Sequence, residues 1–204
     1  MGQHEIMYFV LSYIVGSIPT GFLIFWISIK EDIRGQGSGN TGATNILRTC
    51  GGKAALVTLL VDVLKGSIPV IYGLIHFKYP PLILGAGILT IIGHIFPVWL
   101  KFKGGKGVAT FAGVFLAYMA APDGLFIFPV FSISFIIFLI LTRYVSASSL
   151  AGITGSFFAV LFTNVAEASM IVLLVIILIF IKHKENIGRI ISGDEDRFCW
   201  RKNG

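Results

Sequence analysis

The chain has 204 residues, 55% of them hydrophobic and only 13% charged, with sixteen Lys and Arg against ten Asp and Glu. Together with a mean hydropathy of +0.88, this excludes an ordinary soluble domain of that size and places the chain in a bilayer. The apolar runs are continuous rather than alternating, which excludes a β-barrel and predicts an all-α bundle forming one domain over residues 1–204.

Seven spans are predicted in chain order, at Ile6–Ile29, Ala54–Ile75, Leu82–Leu100, Val108–Ala121, Leu125–Thr142, Leu150–Val165 and Ala166–Ile181. The fourth, sixth and seventh fall short of the ~20 residues that a straight span needs. No cleavable signal peptide is expected, because the first basic residue is Lys30 and the first apolar run is long enough to span. Charge sets the expected orientation. With the N-terminus outside, Lys30–Lys53, Lys101–Lys106, Arg143–Ser149 and Lys182–Gly204 face inward and carry fourteen of the sixteen Lys and Arg. That asymmetry predicts a cytoplasmic C-terminus and an odd number of spans. A single helix broken near Thr163–Glu167 in place of the sixth and seventh spans would put the basic tail outside. Cys50 and Cys199 both fall in these basic segments, which argues for the reducing side and against a disulfide.

Orientation alone accounts for interfacial Lys and Arg. The case for a site therefore rests on the neutral polar residues and glycines among them. The first inward segment holds Gly35-Gln-Gly-Ser-Gly-Asn-Thr-Gly-Ala-Thr-Asn-Ile-Leu-Arg48. Gly37, Gly39 and Gly42 permit tight turns that gather backbone N–H groups. Ser38, Asn40, Thr41, Thr44 and Asn45 add short polar side chains, and Arg48 adds a planar fork of donors. Such a set suits oxyanions, above all phosphate.

The second cluster runs from Gly93 to Thr110. Pro97 kinks or ends the third helix, Trp99 and Phe102 sit where interfacial aromatics sit, and Lys103-Gly104-Gly105-Lys106-Gly107 leads into the fourth helix. Glycine N–H donors, a helix start and lysines make an anion site, against the plainer reading of a basic turn. His94 is read as a buried histidine bonded to a neighbouring helix. The third cluster, Lys182-His-Lys-Glu-Asn-Ile-Gly-Arg189, places His183 and Asn186 on adjacent turns if the helix continues, with a stop-transfer flank as the plainer reading. The turn with Ser146, Ser148 and Ser149 is a minor candidate on the same side.

Other phosphate and catalytic signatures are missing or misleading. Gly37-x-Gly39-x-x-Gly42 has the letters of a dinucleotide fingerprint but no βαβ unit around it. There is no G-x-x-x-x-G-K-[ST], no His-x-x-x-x-Asp pair, no G-x-S-x-G elbow and no cluster with metal-ligand spacing. No metal or cofactor is expected.

Nearly the whole chain resembles the bacterial PlsY-type, acyl-phosphate-dependent glycerol-3-phosphate acyltransferases. The resemblance is carried by Gly37–Arg48, Gly93–Thr110 and His183–Arg189 in order, and by Asp62-Val-Leu-Lys65-Gly66 in the second span. It implies a seven-helix enzyme of the bacterial inner membrane with its site on the cytoplasmic face. The implied reaction moves an acyl group from acyl phosphate to the sn-1 hydroxyl of glycerol 3-phosphate. The products are lysophosphatidate and phosphate, in the committed step of phospholipid synthesis. It favours Ser38, Arg48, Lys106, His183 and Asn186 as catalytic. Gly37, Gly39, Asn40, Thr41, Gly42, Asn45 and Ser146 are implied to bind substrate, and Gly104, Gly105 and Gly107 to help hold glycerol 3-phosphate. Acyl phosphate, glycerol 3-phosphate and membrane lipids are the implied partners, with no nucleic acid and a monomeric enzyme.

Chemistry fits that implication. Two phosphate-bearing substrates need several fixed donors and cations, and an acyl phosphate is already activated, so positioning and charge neutralisation carry much of the rate. No Asp or Glu lies in the first two clusters, so a substrate phosphate oxygen is the expected proton acceptor, with His183 next. The acyl chain is expected between helices against Phe-rich walls. Asp62 and Lys65, three apart inside a span, read as a structural ion pair, which reduces a cost of about 2.5–3.5 kcal/mol for each unpaired charge. A transporter for phosphate or another organic anion is the competing class, but it would place polar groups at the midplane, often in repeated halves. A non-catalytic scaffold is a distant third. The tail from Ser192 onward, with Cys199 and Trp200, carries no motif and is assigned no role.

Overall fold

The structure, a computed structural model, describes residues 2–163 and 166–198, with the backbone alone described for 166–168. Cys199, Trp200 and, within Thr163–Glu167, Asn164 and Val165 lie outside the described residues. Every regular element among the described residues is helical. The α-helices are α1 (Gln3–Ser17), α2 (Thr20–Ile29), α3 (Ala43–Cys50), α4 (Gly52–His76), α5 (Pro80–Ile95), α6 (Val108–Tyr118), α7 (Ile127–Thr142), α8 (Val145–Leu161), α9 (Ala166–Lys182) and α10 (Lys184–Ser192). Among the described residues, four segments are long and apolar enough to cross a bilayer: Gln3–Ile29, Gly52–His76, Pro80–Leu100 and Pro122–Thr142. Val108–Tyr118, Val145–Leu161 and Ser169–Lys182 are apolar but shorter. The longer segments expose Leu60, Ile136 and Leu141 among many large apolar side chains, as lipid-facing helices do.

The chain divides into two compact units, Met1–Tyr118 and Met119–Gly204. In the first unit α5 is the innermost span. Its Gly85, Ala86, Gly87 and Gly93 leave room for neighbours, and Ile91 and Ile95 are fully buried. The helices approach closely because glycines meet backbone. A Cβ on Gly66 of α4 would collide with the Thr110 carbonyl of α6, and one on Gly113 with the Val63 carbonyl. Such reciprocal small-residue contacts replace the hydrophobic driving force that lipid does not supply. Ser67 adds a bond to the Gly113 carbonyl at 2.8 Å.

The expected first span is broken into α1 and α2 at Ile18–Pro19. Pro19 has no N–H to continue the ladder, and Ile18 is pushed to an extended ψ of 113°. The Ile18 carbonyl freed by the break accepts a hydrogen bond from Lys65 at 3.0 Å. Lys65 also pairs with Asp62 at 2.8 Å, giving the intramembrane ion pair expected from their spacing. Likewise α5 stops at Ile95, and Pro97 opens a short 3-10 turn, Val98–Leu100, with Trp99 and Phe102 exposed.

In the second unit α7 packs on α8, and α8 on α9. Helix α8 begins at Val145, five residues before the predicted span, so Ser146, Ser148 and Ser149 are helical rather than a turn. Ser148 and Ser149 bond back to the carbonyls of Tyr144 and Val145, which satisfies their hydroxyls inside the helix. Cys50, at the end of α3, is a free thiol.

Candidate active site

In the first unit the glycine-dense segment wraps around one side chain. Asn45, on the first turn of α3 and almost fully buried, donates from Nδ2 to the carbonyls of Gln36 at 3.0 Å and Asn40 at 2.9 Å. Its Oδ1 accepts the Ser38 N–H at 2.9 Å. Asn40 then takes the Gly42 N–H on its own Oδ1 at 2.9 Å, and Gly42 caps α3. Gly37 and Gly39 have φ of 56° and 69°, and a Cβ at Gly37 would run into the Asn45 amide. The loop's shape is thus fixed by its own hydrogen bonds. Its half-buried Ser38 and buried Thr41 flank the start of α3, and Arg48 stands exposed in that helix's last turn.

The second loop is anchored differently. The N–H groups of Gly104 and Gly105 bond to the carbonyls of Ile95 and His94 at 3.2 and 3.1 Å, closing the C-terminus of α5. Gly105 abuts the Nε2 edge of the His94 ring, where a Cβ would overlap Nε2. His94 in turn faces Asp62 with Nδ1 at 3.6 Å from Oδ1, so the buried Asp62, Lys65 and His94 form one group beneath the loop. Lys106 is half-buried, and Gly107, with φ of 87°, starts α6 by accepting the Phe111 N–H at 2.8 Å.

Arg34 joins the two loops. Its Nη1 donates to the Leu100 carbonyl at 3.1 Å, while Nε lies 3.0 Å from both oxygens of Asp32. Those hydrogen bonds hold the Asp32 carboxyl below the usual carboxylate range. Composition reads Arg34 as a topology charge. The only local hint of more is Asp32, two residues earlier, whose Oδ1 accepts the Arg34 N–H.

In the second unit α9 and α10 do not form one continuous helix; the chain kinks at His183, which caps α10 and is buried. The His183 Nδ1 lies 2.8 Å from the Ile179 carbonyl oxygen, which can only accept, so Nδ1 carries the hydrogen. In the neutral ring Nε2 then holds the lone pair. This backbone carbonyl orients the ring. Asn186, one turn further on, is also buried, and its Nδ2 donates to Glu195 Oε1 at 2.6 Å. Ser146 donates to the same oxygen at 2.7 Å, and Arg189 Nε donates to Oε2 at 2.8 Å. Burial pushes the Glu195 carboxyl up, but the bonds from Asn186, Ser146 and Arg189 outweigh it, and the net shift is downward. Sequence reading missed Glu195, because only Gly193, a natural helix stop, marks the turn that brings it back. Beside this cluster an apolar groove of about 450 Å³ runs past Phe138, Leu150, Ala151, Phe180, Ile187 and Ile190.

The described chain is thus a multi-pass helical membrane protein with polar loops built at its helix ends. Residues 6–193 match the family model described as glycerol-3-phosphate acyltransferase. The glycerol-3-phosphate acyltransferase of Pelagibacter ubique is 41% identical over 91% of this chain and 93% of its own length. That of Bacillus subtilis is 40% identical over 94% and 96%. A crystal structure of PlsY, an integral membrane glycerol 3-phosphate acyltransferase, in its glycerol 3-phosphate form superposes with a TM-score of 0.86. It shares 32% identity, and 96% of each chain is covered. The lysophosphatidic acid form gives a TM-score of 0.80 at 33% identity. The chain belongs to the glycerol-3-phosphate acyltransferase family and is an acyltransferase.

Proposed function

We propose that this enzyme, acting as a single catalytic domain, transfers an acyl group from acyl phosphate to the sn-1 hydroxyl of glycerol 3-phosphate. The reaction takes place at the cytoplasmic face of a bacterial inner membrane. In the transfer, the hydroxyl oxygen attacks the acyl carbon and the bond from that carbon to the phosphate oxygen breaks. Phosphate leaves with the electron pair, and the hydroxyl proton ends on a phosphate oxygen. No external co-reactant is needed, and the leaving group supplies its own proton acceptor. That reading assigns the protein positioning and charge neutralisation. The observation that carries it is the first loop, fixed around Asn45 by its own hydrogen bonds, which keeps a run of glycines and short polar residues at the start of α3.

Ser38, Arg48 and Lys106 are assigned to the substrate phosphates, with Gly37, Gly39, Asn40, Thr41 and Gly42 supplying backbone around them. Asn45 acts by holding that backbone, its two N–H groups being bound to the loop. Gly104, Gly105 and Gly107 shape the loop that receives glycerol 3-phosphate. His183, Asn186 and Ser146 serve the reacting groups, and the acyl chain lies along the groove past Phe138 and Phe180. Seven spans with the N-terminus outside, in a monomer, complete the reading. It is supported by the three shorter apolar helices standing where the short fourth, sixth and seventh spans are expected.

The test is phosphate release from acyl phosphate by purified protein, required to depend on glycerol 3-phosphate and to match lysophosphatidate formed. Single cysteines at Ser38, Gly105 and Asn186, in a background lacking Cys50 and Cys199, should all react with an impermeant reagent from the cytoplasmic side only. A cysteine at Lys78 should react from outside. Glycerol phosphate uptake into sealed liposomes without acylation would replace this reading with a transporter.

A further inference from the structure

The tail beyond α10 carries no motif, yet one of its side chains is among the best-bonded buried polar groups in the second unit. Gly193, at φ 81°, reverses the chain, and the N–H groups of Asp194 and Glu195 both bond to the Arg189 carbonyl, at 2.8 and 3.1 Å. Glu195 thereby points inward and is only 7% exposed. Further along, the Phe198 N–H bonds to the Arg143 carbonyl at 2.6 Å, so the tail is fastened on both sides of Glu195. Its carboxylate takes three side-chain donors, from Ser146, Asn186 and Arg189.

Each bond removes a freedom. Ser146 has one hydroxyl hydrogen, and it goes to Glu195, which leaves the oxygen to act as an acceptor. Asn186 has a planar amide, so fixing one N–H fixes the direction of the whole group. Arg189 offsets the charge of the carboxylate, so a dianionic substrate nearby meets a neutralised pair rather than a bare anion.

We propose that Glu195 is a positioning residue for acyl transfer, acting through the Asn186 amide and the Ser146 hydroxyl. This rests on the acyltransfer reading above. Glu195→Gln keeps an acceptor oxygen for Ser146 and Asn186, whereas Glu195→Met keeps size without any acceptor. Turnover per folded protein should therefore stay within about threefold in Glu195→Gln and fall about tenfold or more in Glu195→Met, the scale expected for losing a buried hydrogen-bond acceptor. Adding Ser146→Ala to Glu195→Met should cost less than the product of the two separate losses.

A residue needed only for folding would give activities that follow the melting temperatures of the variants and losses that multiply. Should Glu195→Met fail to fold, Glu195→Asp serves instead, because its carboxylate is drawn back by one methylene and cannot reach all three donors. Wild-type kinetics in Glu195→Met or Glu195→Asp, equal loss in Glu195→Gln and Glu195→Met, or tighter substrate binding on removing the carboxylate would each overturn the proposal. A wild-type protein that releases no phosphate with glycerol 3-phosphate would instead overturn the acyltransfer reading on which it rests.

Discussion

Replacing Asn45 tests whether the first loop is held by the bonds described. Its amide makes three hydrogen bonds to loop backbone, at 2.9, 3.0 and 2.9 Å. At about 1 kcal/mol net for each, Asn45→Ala removes about 3 kcal/mol of loop ordering, which is roughly a hundredfold in the population of the closed loop. The Gln36 carbonyl is not left bare, because it also accepts the Gly39 N–H at 3.0 Å. Turnover with glycerol 3-phosphate should fall between about tenfold and a hundredfold. Asn45→Asp is the sharper probe. It keeps the acceptor for Ser38 but sets a carboxylate oxygen against two carbonyls, so it should lose more than Ala despite its closer shape. The assay is steady-state phosphate release over a range of glycerol 3-phosphate, with melting curves in detergent alongside. Melting should move little, because the bonds lost are local to the loop and α3. An Asp variant more active than the Ala variant, or either within threefold of wild type, would refute the reasoning.

Arg48→Lys should lose most activity while inserting and melting normally, since a point charge cannot reproduce the guanidinium fork; near-normal turnover would reduce Arg48 to an orientation charge. For His183, Gln places an amide near the position of Nε2 and Asn near that of Nδ1. If the substrate phosphate takes the proton, His183→Gln or His183→Asn should retain turnover above His183→Ala. If His183 is the base, all three should be equally inactive, as base help is worth about 10²–10⁴-fold. Glu195 has a carboxyl held below its ordinary value, so the folded state binds its proton less readily than the unfolded chain. Its contribution is therefore fully present above the unfolded value and lost as pH falls through the lowered one. The gap in melting temperature between wild type and Glu195→Gln should be constant at neutral pH and close in acid. A gap unchanged through that range would contradict the assignment.

Hydropathy and punctuation in the sequence determine the helical class, the placing of most spans and the three polar clusters, because lipid demands long apolar runs and leaves glycine and short polar residues conspicuous. Pro97 and the Asp62–Lys65 spacing are legible for the same reason, each being a local rule with a local consequence. Pro19 is equally visible, yet the uninterrupted apolar run around it hides the break, and the value of the break lies in Lys65, 47 residues away from Ile18. Helix α8 starts early, with the Ser148 and Ser149 hydroxyls satisfied by bonding back within the helix, which a turn reading of three serines overlooks. Asn45 is named among the ligand groups by composition, and only the folded loop shows its amide facing backbone. Glu195 lies furthest from sequence reading. Its partner Ser146 is 49 positions away, and a lone acid in a polar tail has no periodicity to mark it. Only tertiary structure could select it, because the cost of burying a carboxylate is met by donors that come together when the tail folds back.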